Sequence, residues 1–253
     1  MHIPTMEGII DRRILVNYRV DPHYLESLLP GPFRPKLVHA MGIAGICLIR
    51  LKQIRPHSLP TLLGLSSENA AHRIAVAWEE NGGYQEGVYI PRRDTSSRFN
   101  TVVGGKLFPG IHHHAHFQVT ESDEAFRIEI ESDDGETRVA IEARVTSTLP
   151  EHSIFTSLEE ASAFFERGSR GYSSTRDMSR LDSLDLRCLN WKVEPLQLTK
   201  AESSFFDDQQ RFPPGSAELD GALLMRAIRH EWYAREPLRS SIASSHAQPA
   251  PAR

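Results

Sequence analysis

EAFRIEIESDDGETRVAIEARVTST, residues Glu124–Thr148, alternates apolar and polar side chains on both sides of the turn SDDGE. Alternation with period two is typical of a strand with one buried face, and an Asp-Gly turn between two such runs is typical of a hairpin. This stretch therefore predicts two antiparallel strands, and it indicates the fold class of the chain.

Neighbouring segments repeat the strand signal. Arg12–Val20 mixes β-branched and aromatic residues, Met41–Leu51 is a continuous apolar run, and the turn Asn81–Tyr84 predicts a second hairpin. Short helices are predicted after Asp21 and after Ser157, because both residues are favourable N-caps. Some ten strands without βαβ alternation predict an α+β, mainly antiparallel β architecture, as a barrel or sandwich with helices at its rim.

Other segments carry weaker signals. We predict loops over Ile54–Ala70 and Arg170–Ser183, whereas the periodicity of Ser216–Trp232 is compatible with a strand or a helix. Residues 1–239 are expected to form a single domain. Ser240–Arg253 is rich in Ser, Ala and Pro and is expected to be a disordered tail.

Composition excludes several classes of protein. The net charge is −4 and there is no basic stripe, which argues against a nucleic-acid partner. There is no apolar run of membrane-spanning length, and the first residues lack the pattern of a secretory signal, so we expect neither a membrane span nor a secretory signal. Cys47 and Cys188 lie among apolar neighbours and are interpreted as buried thiols in a reducing compartment, with a disulfide as the less favoured alternative. We expect a cytoplasmic protein without a cofactor.

A histidine-rich segment, KLFPGIHHHAHFQV (Lys106–Val119), is the first candidate site. In a strand, His112, His114 and His116 would share one face. Three interpretations stay open. His112 and His114 bind a metal such as zinc, all three form a polar strand face, or they line a cavity and transfer protons. No CxxC or HExxH motif accompanies them, so no metal is assigned.

Further polar residues are candidates with ordinary alternatives. Glu68 lies between a loop and a strand and either points into a cavity or is exposed. Arg12 or Arg13, at the start of a strand, either binds a substrate carboxylate or is solvated. Arg73 alternates with apolar residues and is a candidate inward ion-pair partner. Lys106 is either a partly buried nucleophile or an exposed lysine at a helix C-terminus.

Seven segments between Arg12 and Trp232 occur in a characteristic order and spacing: RRILVNYRVDPHYLESLLPGPF, SSENAAHRI, GVYIPRRDTSSR, LFPGIHHHAHF, SLEEASAFFERGSRGYS, WKVEPLQL and GALLMRAIRHEW. Together they resemble a bacterial domain family of unknown function related to acetoacetate decarboxylase. The resemblance implies an acetoacetate decarboxylase-like β-cone or barrel with short flanking helices and an interior cavity. It also implies a carboxylate or oxo acid as ligand and leaves a homo-oligomer open, because the decarboxylases form oligomers.

The resemblance carries a strand-start arginine to Arg12, within one residue of Arg13, and a catalytic glutamate to Glu68. The decarboxylases' lysine pair is absent after Phe108–Pro109, and Lys106 stands at the wrong place in the motif. Imine formation needs a neutral amine. We therefore predict a lyase- or isomerase-type enzyme that acts on a small oxo or hydroxy acid without a Schiff base.

In this hypothesis Arg12 holds the carboxylate, while Glu68 and the histidines move protons. It predicts a histidine pKa of about 7 and a bell-shaped dependence of rate on pH. A non-catalytic protein that binds a small metabolite is the main alternative. A decarboxylase that uses Lys106 is a weaker one.

Overall fold

The computed structural model describes residues 5–80, 82–103, 110–177 and 179–240. Within these ranges the strands are β1 Met6–Val20, β2 Arg34–Pro35, β3 Leu37–Val38, β4 Met41–Pro56, β5 Leu65–Glu80, β6 Gly83–Thr95, β7 His113–Glu121, β8 Ala125–Ser132, β9 Arg138–Val145, β10 Arg170–Ser174, β11 Arg180–Cys188, β12 Glu194–Ser203 and β13 Ala217–Arg239. The α-helices are α1 Pro22–Glu26, α2 Arg98–Val103 and α3 Leu158–Arg167, and a short 3-10 helix covers Thr61–Leu63. The mainly antiparallel α+β architecture is confirmed.

The strands form one sheet that closes on itself. A central wall has the order β13-β1-β4-β5-β6, and all its pairings are antiparallel. The outer edge of β6 pairs first with β10 and then with β7, both in parallel. The outer edge of β13 pairs first with β12 and then with β11. One ring therefore closes through β10 and β11, and a second closes through β7, β8, β9 and β12.

Two hydrophobic cores lie on opposite faces of this wall. In β1, Ile14 and Val16 belong to the core on the β7–β9 side, and Leu15 belongs to the core that also contains Phe164 and Phe165 of α3. All five are buried. Successive residues of a strand point to opposite faces. Because both faces of β1 are buried, its middle section is a continuous apolar run.

The helices begin where their capping residues predict. The Asp21 carboxylate accepts a hydrogen bond from the backbone N–H of His23 at 2.9 Å. The Ser157 hydroxyl accepts one from the N–H of Glu160 at 3.1 Å, whereas the Glu160 carboxylate accepts from Thr156 rather than from the cap residue itself. None of the helices in the described ranges is long and apolar enough to cross a lipid bilayer.

Both predicted loops are wrong over most of their length. Ile54 of β4 pairs with Leu65 of β5, so the first loop shrinks to residues 57–64. The second contains β10 and the start of β11, because Tyr172 and Leu181 are buried where these strands close the first ring. Long-range pairing thus overrides local loop composition.

The remaining predictions have mixed outcomes. The hairpin of β8 and β9 is confirmed, and the undecided segment 216–232 lies mainly in β13. The cysteines are free thiols, of which Cys47 is buried and Cys188 is half-buried. The expected tail lies outside the described residues apart from Ser240.

Candidate functional site

A cavity of about 140 Å³ lies inside the ring that β10 and β11 close. Its walls come from β1, β4, β5, β6, β11 and β13, together with α2 and the residues before β7. The lining includes Arg13, Cys47, Ile49, Asn69, Arg73, Val88, Ile90, Arg93, Asp94, Ser97, Asn100, His112, Leu184 and Trp232. Apolar walls with a few convergent polar groups are the usual composition of a small-molecule site.

Arg13 and Cys47 meet on neighbouring strands. Arg13 pairs with Ile49 across β1 and β4, and Cys47 lies two residues from Ile49 on the same face. The Arg13 Nε–H donates to the Cys47 sulfur at 3.3 Å. Strand alternation puts Arg13 on the same face as Cys47 and Ile49, and the closure of the sheet makes that face the cavity wall.

Arg73 reaches the site across a glycine. In the sheet, Asn17 of β1, Gly45 of β4 and Arg73 of β5 stand in one row. Because Gly45 has no side chain, Arg73 crosses it and donates from Nη2 to the Asn17 side-chain oxygen. The Arg73 guanidinium also lies over the ring of Phe165, 4.8 Å from its centroid. Its Nε is buried without a hydrogen-bond acceptor among the described residues.

Arg93 completes a group of three guanidiniums. It lies opposite Ala71 on β5, and its Nε–H donates to the Ser173 hydroxyl at 2.9 Å. Burial lowers the pKa of Arg73 and of Arg93 to about 10, so both remain charged at neutral pH. Within the described ranges, Arg13, Arg73 and Arg93 form no ion pair with a carboxylate. The buried carboxylate of Asp94, also in the lining, is held by Arg92 instead.

His112 lies in the segment just before β7 and lines the cavity. Gly110 holds this segment: its N–H donates to the Asp182 carboxylate at 3.0 Å, and its φ is +79°. The His112 Nδ1 lies 3.3 Å from the Gly110 carbonyl. If Nδ1–H donates there, the lone pair of the neutral ring is on Nε2. Burial, and then the charge of Arg93, lower the pKa of His112 to about 3. The expected pKa of about 7 is therefore wrong for His112, which stays neutral.

Arg12 and Glu68 meet on the opposite face of the same strands. Arg12, Arg50 and Glu68 form one row across β1, β4 and β5. Glu68 accepts hydrogen bonds of 2.5 Å from both arginines, and Glu121 at the end of β7 also pairs with both. The two residues that the resemblance selects are thus brought together, but they pair with each other rather than lining the cavity.

The other histidines lie outside the cavity. His114 and His116 lie on the outer face of β7 and contact Asp133 of the β8–β9 turn, and His113 lies 3.0 Å from Asp134. His112 and His114, the pair considered for a metal, do not share a face because β7 begins only at His113.

The sequence analysis did not identify Arg93 and Cys47 as site residues, although both line the cavity. Alternation within RRDT does not distinguish Arg92 from Arg93, and a cysteine in an apolar run resembles any core residue. Only the register, in which Cys47, Ala71 and Arg93 stand in one row, brings them together. Lys106 lies outside the described residues.

Solved structures share the fold at low sequence identity. Acetoacetate decarboxylase from Legionella pneumophila subsp. pneumophila str. Philadelphia 1 matches with a TM-score of 0.58 and 10% identity, covering 93% of this chain and 87% of that one. An acetoacetate decarboxylase-like enzyme from Sphingomonas wittichii RW1 matches with a TM-score of 0.60 and 11% identity, covering 95% of both chains. The enduracididine biosynthesis enzyme MppR, complexed with pyruvate, matches with a TM-score of 0.57 and 13% identity, covering 96% and 93%.

These structures show that the chain has the fold of acetoacetate decarboxylase. No curated protein matches the sequence. A family model described as "Uncharacterized conserved protein" matches residues 10–222, which is most of the chain. The chain therefore belongs to this family, DUF2071, whose fold is that of the acetoacetate decarboxylase-like proteins.

Proposed function

We propose that this chain binds a small oxo acid in the cavity and acts on it as a lyase- or isomerase-type enzyme without a Schiff base. One observation carries the proposal: Arg13, Arg73 and Arg93 surround a small cavity and form no ion pair with a carboxylate among the described residues. Buried charge without a counter-charge is unfavourable. The charge of Asp182 acts on Arg93 without a direct ion pair. An anionic ligand would supply the direct contact, because guanidinium groups bind carboxylates through two parallel hydrogen bonds.

The size of the cavity limits the ligand. A volume of about 140 Å³ is close to the ~150 Å³ of a cavity that holds benzene. An acid of pyruvate's size suits such a space, whereas a sugar phosphate or nucleotide does not. MppR, which shares this fold, was solved in complex with pyruvate, and that supports the same ligand class here.

His112 is neutral and can accept a proton, but its low pKa makes it a weak base that depends on stabilisation of the enolate by a neighbouring group. Its Nε2 would take a proton from the carbon next to the ligand's carbonyl, and the electron pair would move to the carbonyl oxygen. The guanidinium of Arg93, whose charge already acts on His112, would stabilise the enolate oxygen. In an oxo acid with a double bond conjugated to the enolate, return of the proton from His112 to the far carbon of that system gives isomerisation. In an oxo acid with a hydroxyl on the carbon next to the deprotonated one, the hydroxyl leaves as water with the proton from His112, which gives dehydration. In this scheme Arg13 and Arg73 bind the ligand's carboxylate. Arg12 and Glu68 form an ion pair on the opposite face of the strands that line the cavity and have a structural role.

The first experiment measures binding by calorimetry. Pyruvate and a panel of small 2- and 3-oxo acids are titrated into the wild type, into Arg73→Met and into Arg127→Met, a control at an exposed guanidinium. Loss of a charge-assisted contact should weaken binding of the acids by about tenfold or more in Arg73→Met. Methyl esters of the same acids should bind no variant tightly. The proposal fails if the acids do not bind the wild type, or if both variants bind them equally well.

A second experiment separates catalysis from binding and from imine chemistry. Turnover of the acids that bind is compared in the wild type and in His112→Gln. Enzymatic function predicts retained binding and at least about a hundredfold loss of turnover. Binding without turnover in the wild type would favour the alternative of a binding protein. Borohydride trapping of a covalent adduct on Lys106, read by peptide mass, would instead support the imine route.

A further inference from the structure

A second polar cluster lies outside the ring that encloses the cavity. His114 and His116 project from the same face of β7 because they are two residues apart, and Asp133 lies beside them in the turn between β8 and β9. The Asp133 Oδ2 lies 2.9 Å from His114 Nδ1, and its Oδ1 lies 3.2 Å from His116 Nε2. None of the three lines the cavity described above.

The strand and the turn hold these groups together through the backbone. The Asp133 N–H donates to the His114 carbonyl at 3.0 Å, which fixes the start of the turn against β7. The turn is closed by a hydrogen bond of 3.0 Å from the Gly135 N–H to the Ser132 carbonyl. The His114 and His116 rings stand edge to face, with centroids 5.4 Å apart. The backbone positions of His114 and Asp133 are therefore held next to each other before any ligand binds.

The spacing of the donor atoms fits a small transition-metal ion. One ligand atom from each of His114, His116 and Asp133 lies within 4.8 Å of the others. Ligand atoms on a tetrahedral zinc ion, at about 2.0–2.2 Å from the metal, are separated by about 3.3 Å. His114 is mostly covered, whereas the His116 side chain is 72% exposed, so rotation of His116 can bring in the third donor.

We propose that His114, His116 and Asp133 form a surface site for a divalent transition metal of the zinc class. Two imidazole nitrogens and one carboxylate favour zinc, nickel or copper over magnesium or calcium, which prefer oxygen ligands alone. With three protein ligands, water fills the fourth position of a zinc ion. The bound ion would clip the β8–β9 turn to β7. The proposal is independent of the oxo-acid function, because it uses none of the cavity residues.

The neighbouring pair provides an internal comparison. His113 lies 3.0 Å from Asp134, but Asp134 also accepts hydrogen bonds of 2.8 and 2.9 Å from the Arg92 guanidinium. A carboxylate already held by a guanidinium is a poor place for a cation, because like charges would approach each other. Asp134 and His113 are therefore not assigned as ligands, and their substitution serves as a local control.

The test uses full-length protein without a histidine tag, dialysed against a chelator and then titrated with zinc chloride. We expect about one zinc per chain in the wild type and in His113→Gln. Binding should be at least about tenfold weaker in His116→Ala and in Asp133→Asn. His152→Ala, at an exposed histidine elsewhere, should bind like the wild type. Magnesium chloride should give no saturable binding. Cobalt(II) in place of zinc should give the absorption bands of a tetrahedral nitrogen and oxygen site.

Two results would overturn the proposal. One is wild-type zinc binding no tighter than that of His116→Ala and Asp133→Asn, which would place any bound zinc elsewhere. The other is the absence of saturable zinc binding in the wild type. Circular dichroism of each variant excludes loss of folding as the cause of weaker binding. Because the oxo-acid titrations measure a different site, failure of either proposal leaves the other testable.

Discussion

The Nη2 of Arg12 donates a 2.5 Å hydrogen bond to the Oε2 of Glu68, so the arginine and glutamate selected by the decarboxylase resemblance neutralise each other. Arg12 is buried, with a side chain only 4% exposed, and Glu68 also pairs with Arg50. A network of this kind stabilises the wall between the two cores, but it leaves neither partner available to a ligand in the cavity.

Glu68→Gln should therefore destabilise the protein more than it weakens ligand binding. Removal of one carboxylate leaves the buried Arg12 with Glu121 alone, and loss of one partner of a buried pair should lower the free energy of unfolding by about 2 kcal/mol. Glu218→Gln, which breaks the more exposed pair with Arg19, should lower it by less than about 1 kcal/mol. Chemical denaturation measures both. If Glu68→Gln had wild-type stability but no turnover of oxo acids, the prediction would be wrong and Glu68 would have a catalytic role.

Gly110→Ala should disturb the support of His112. A Cβ at residue 110 would lie 2.4 Å from the Ser173 Cβ, and the positive φ adds backbone strain. We expect a loss of at least about 2 kcal/mol in the free energy of unfolding. Gly135→Ala is the matched control: its φ is +74° but a Cβ there meets nothing within 4 Å. It should lose only about 1 kcal/mol from strain. Equal losses in the two variants would contradict a tight contact at Gly110.

Buried histidines should make the protein less stable in mild acid. Burial, and then the charges of Arg92 and Arg211, lower the pKa of His72 to about 3, below its unfolded value of about 6.5. Between about pH 6.5 and pH 3, His72 is protonated in the unfolded chain but stays neutral in the folded protein. The stabilisation from a neutral His72 is therefore complete above about pH 6.5 and falls by about 2 kcal/mol by pH 5. His230, with a pKa lowered by burial to about 4, acts in the same direction.

His72→Phe tests this dependence. The ring of His72 stacks on Phe205, with centroids 4.7 Å apart, and both of its nitrogens lack a described hydrogen-bond partner. Phenylalanine should therefore fit without loss of stability at pH 7. The difference in unfolding free energy between pH 7 and pH 5 should shrink by about 2 kcal/mol. Phenylalanine at the exposed His152 should leave the difference unchanged, and an unaltered slope in His72→Phe would refute the assignment.

The dependence of kcat/KM on pH should not show the titration of a histidine near pH 7. A general base acts above its pKa, and the pKa of His112 is lowered to about 3, so kcat/KM should be flat between about pH 5 and 8. Because burial lowers the pKa of Arg73 to about 10, KM should rise above that pH as the guanidinium loses its charge. A pH–rate profile of the wild type measures both. An acid limb in kcat/KM at about pH 7 that disappears in His112→Gln would show that His112 of the free enzyme titrates there, and it would contradict the prediction.

Local pattern was sufficient for the elements that depend on near neighbours. The hairpin of Glu124–Thr148 and the capped helices after Asp21 and Ser157 follow from alternation, turn chemistry and N-cap preference. Composition did not identify β10 and β11, because the burial of Tyr172 and Leu181 arises only when the sheet closes. The local sequence of a strand that closes a ring therefore gives little indication that it is a strand.

Because Arg12 and Arg13 are adjacent in a predicted strand, the sequence alone indicates that β1 presents a charged side chain on each face. The placement of Arg13 in the cavity and of Arg12 beside Glu68 follows from the folded sheet. Period-two alternation fixes which residues share a face, but the pairing of distant strands decides which face encloses the cavity. For the same reason, His112 is separated from His114 by the residue at which β7 begins.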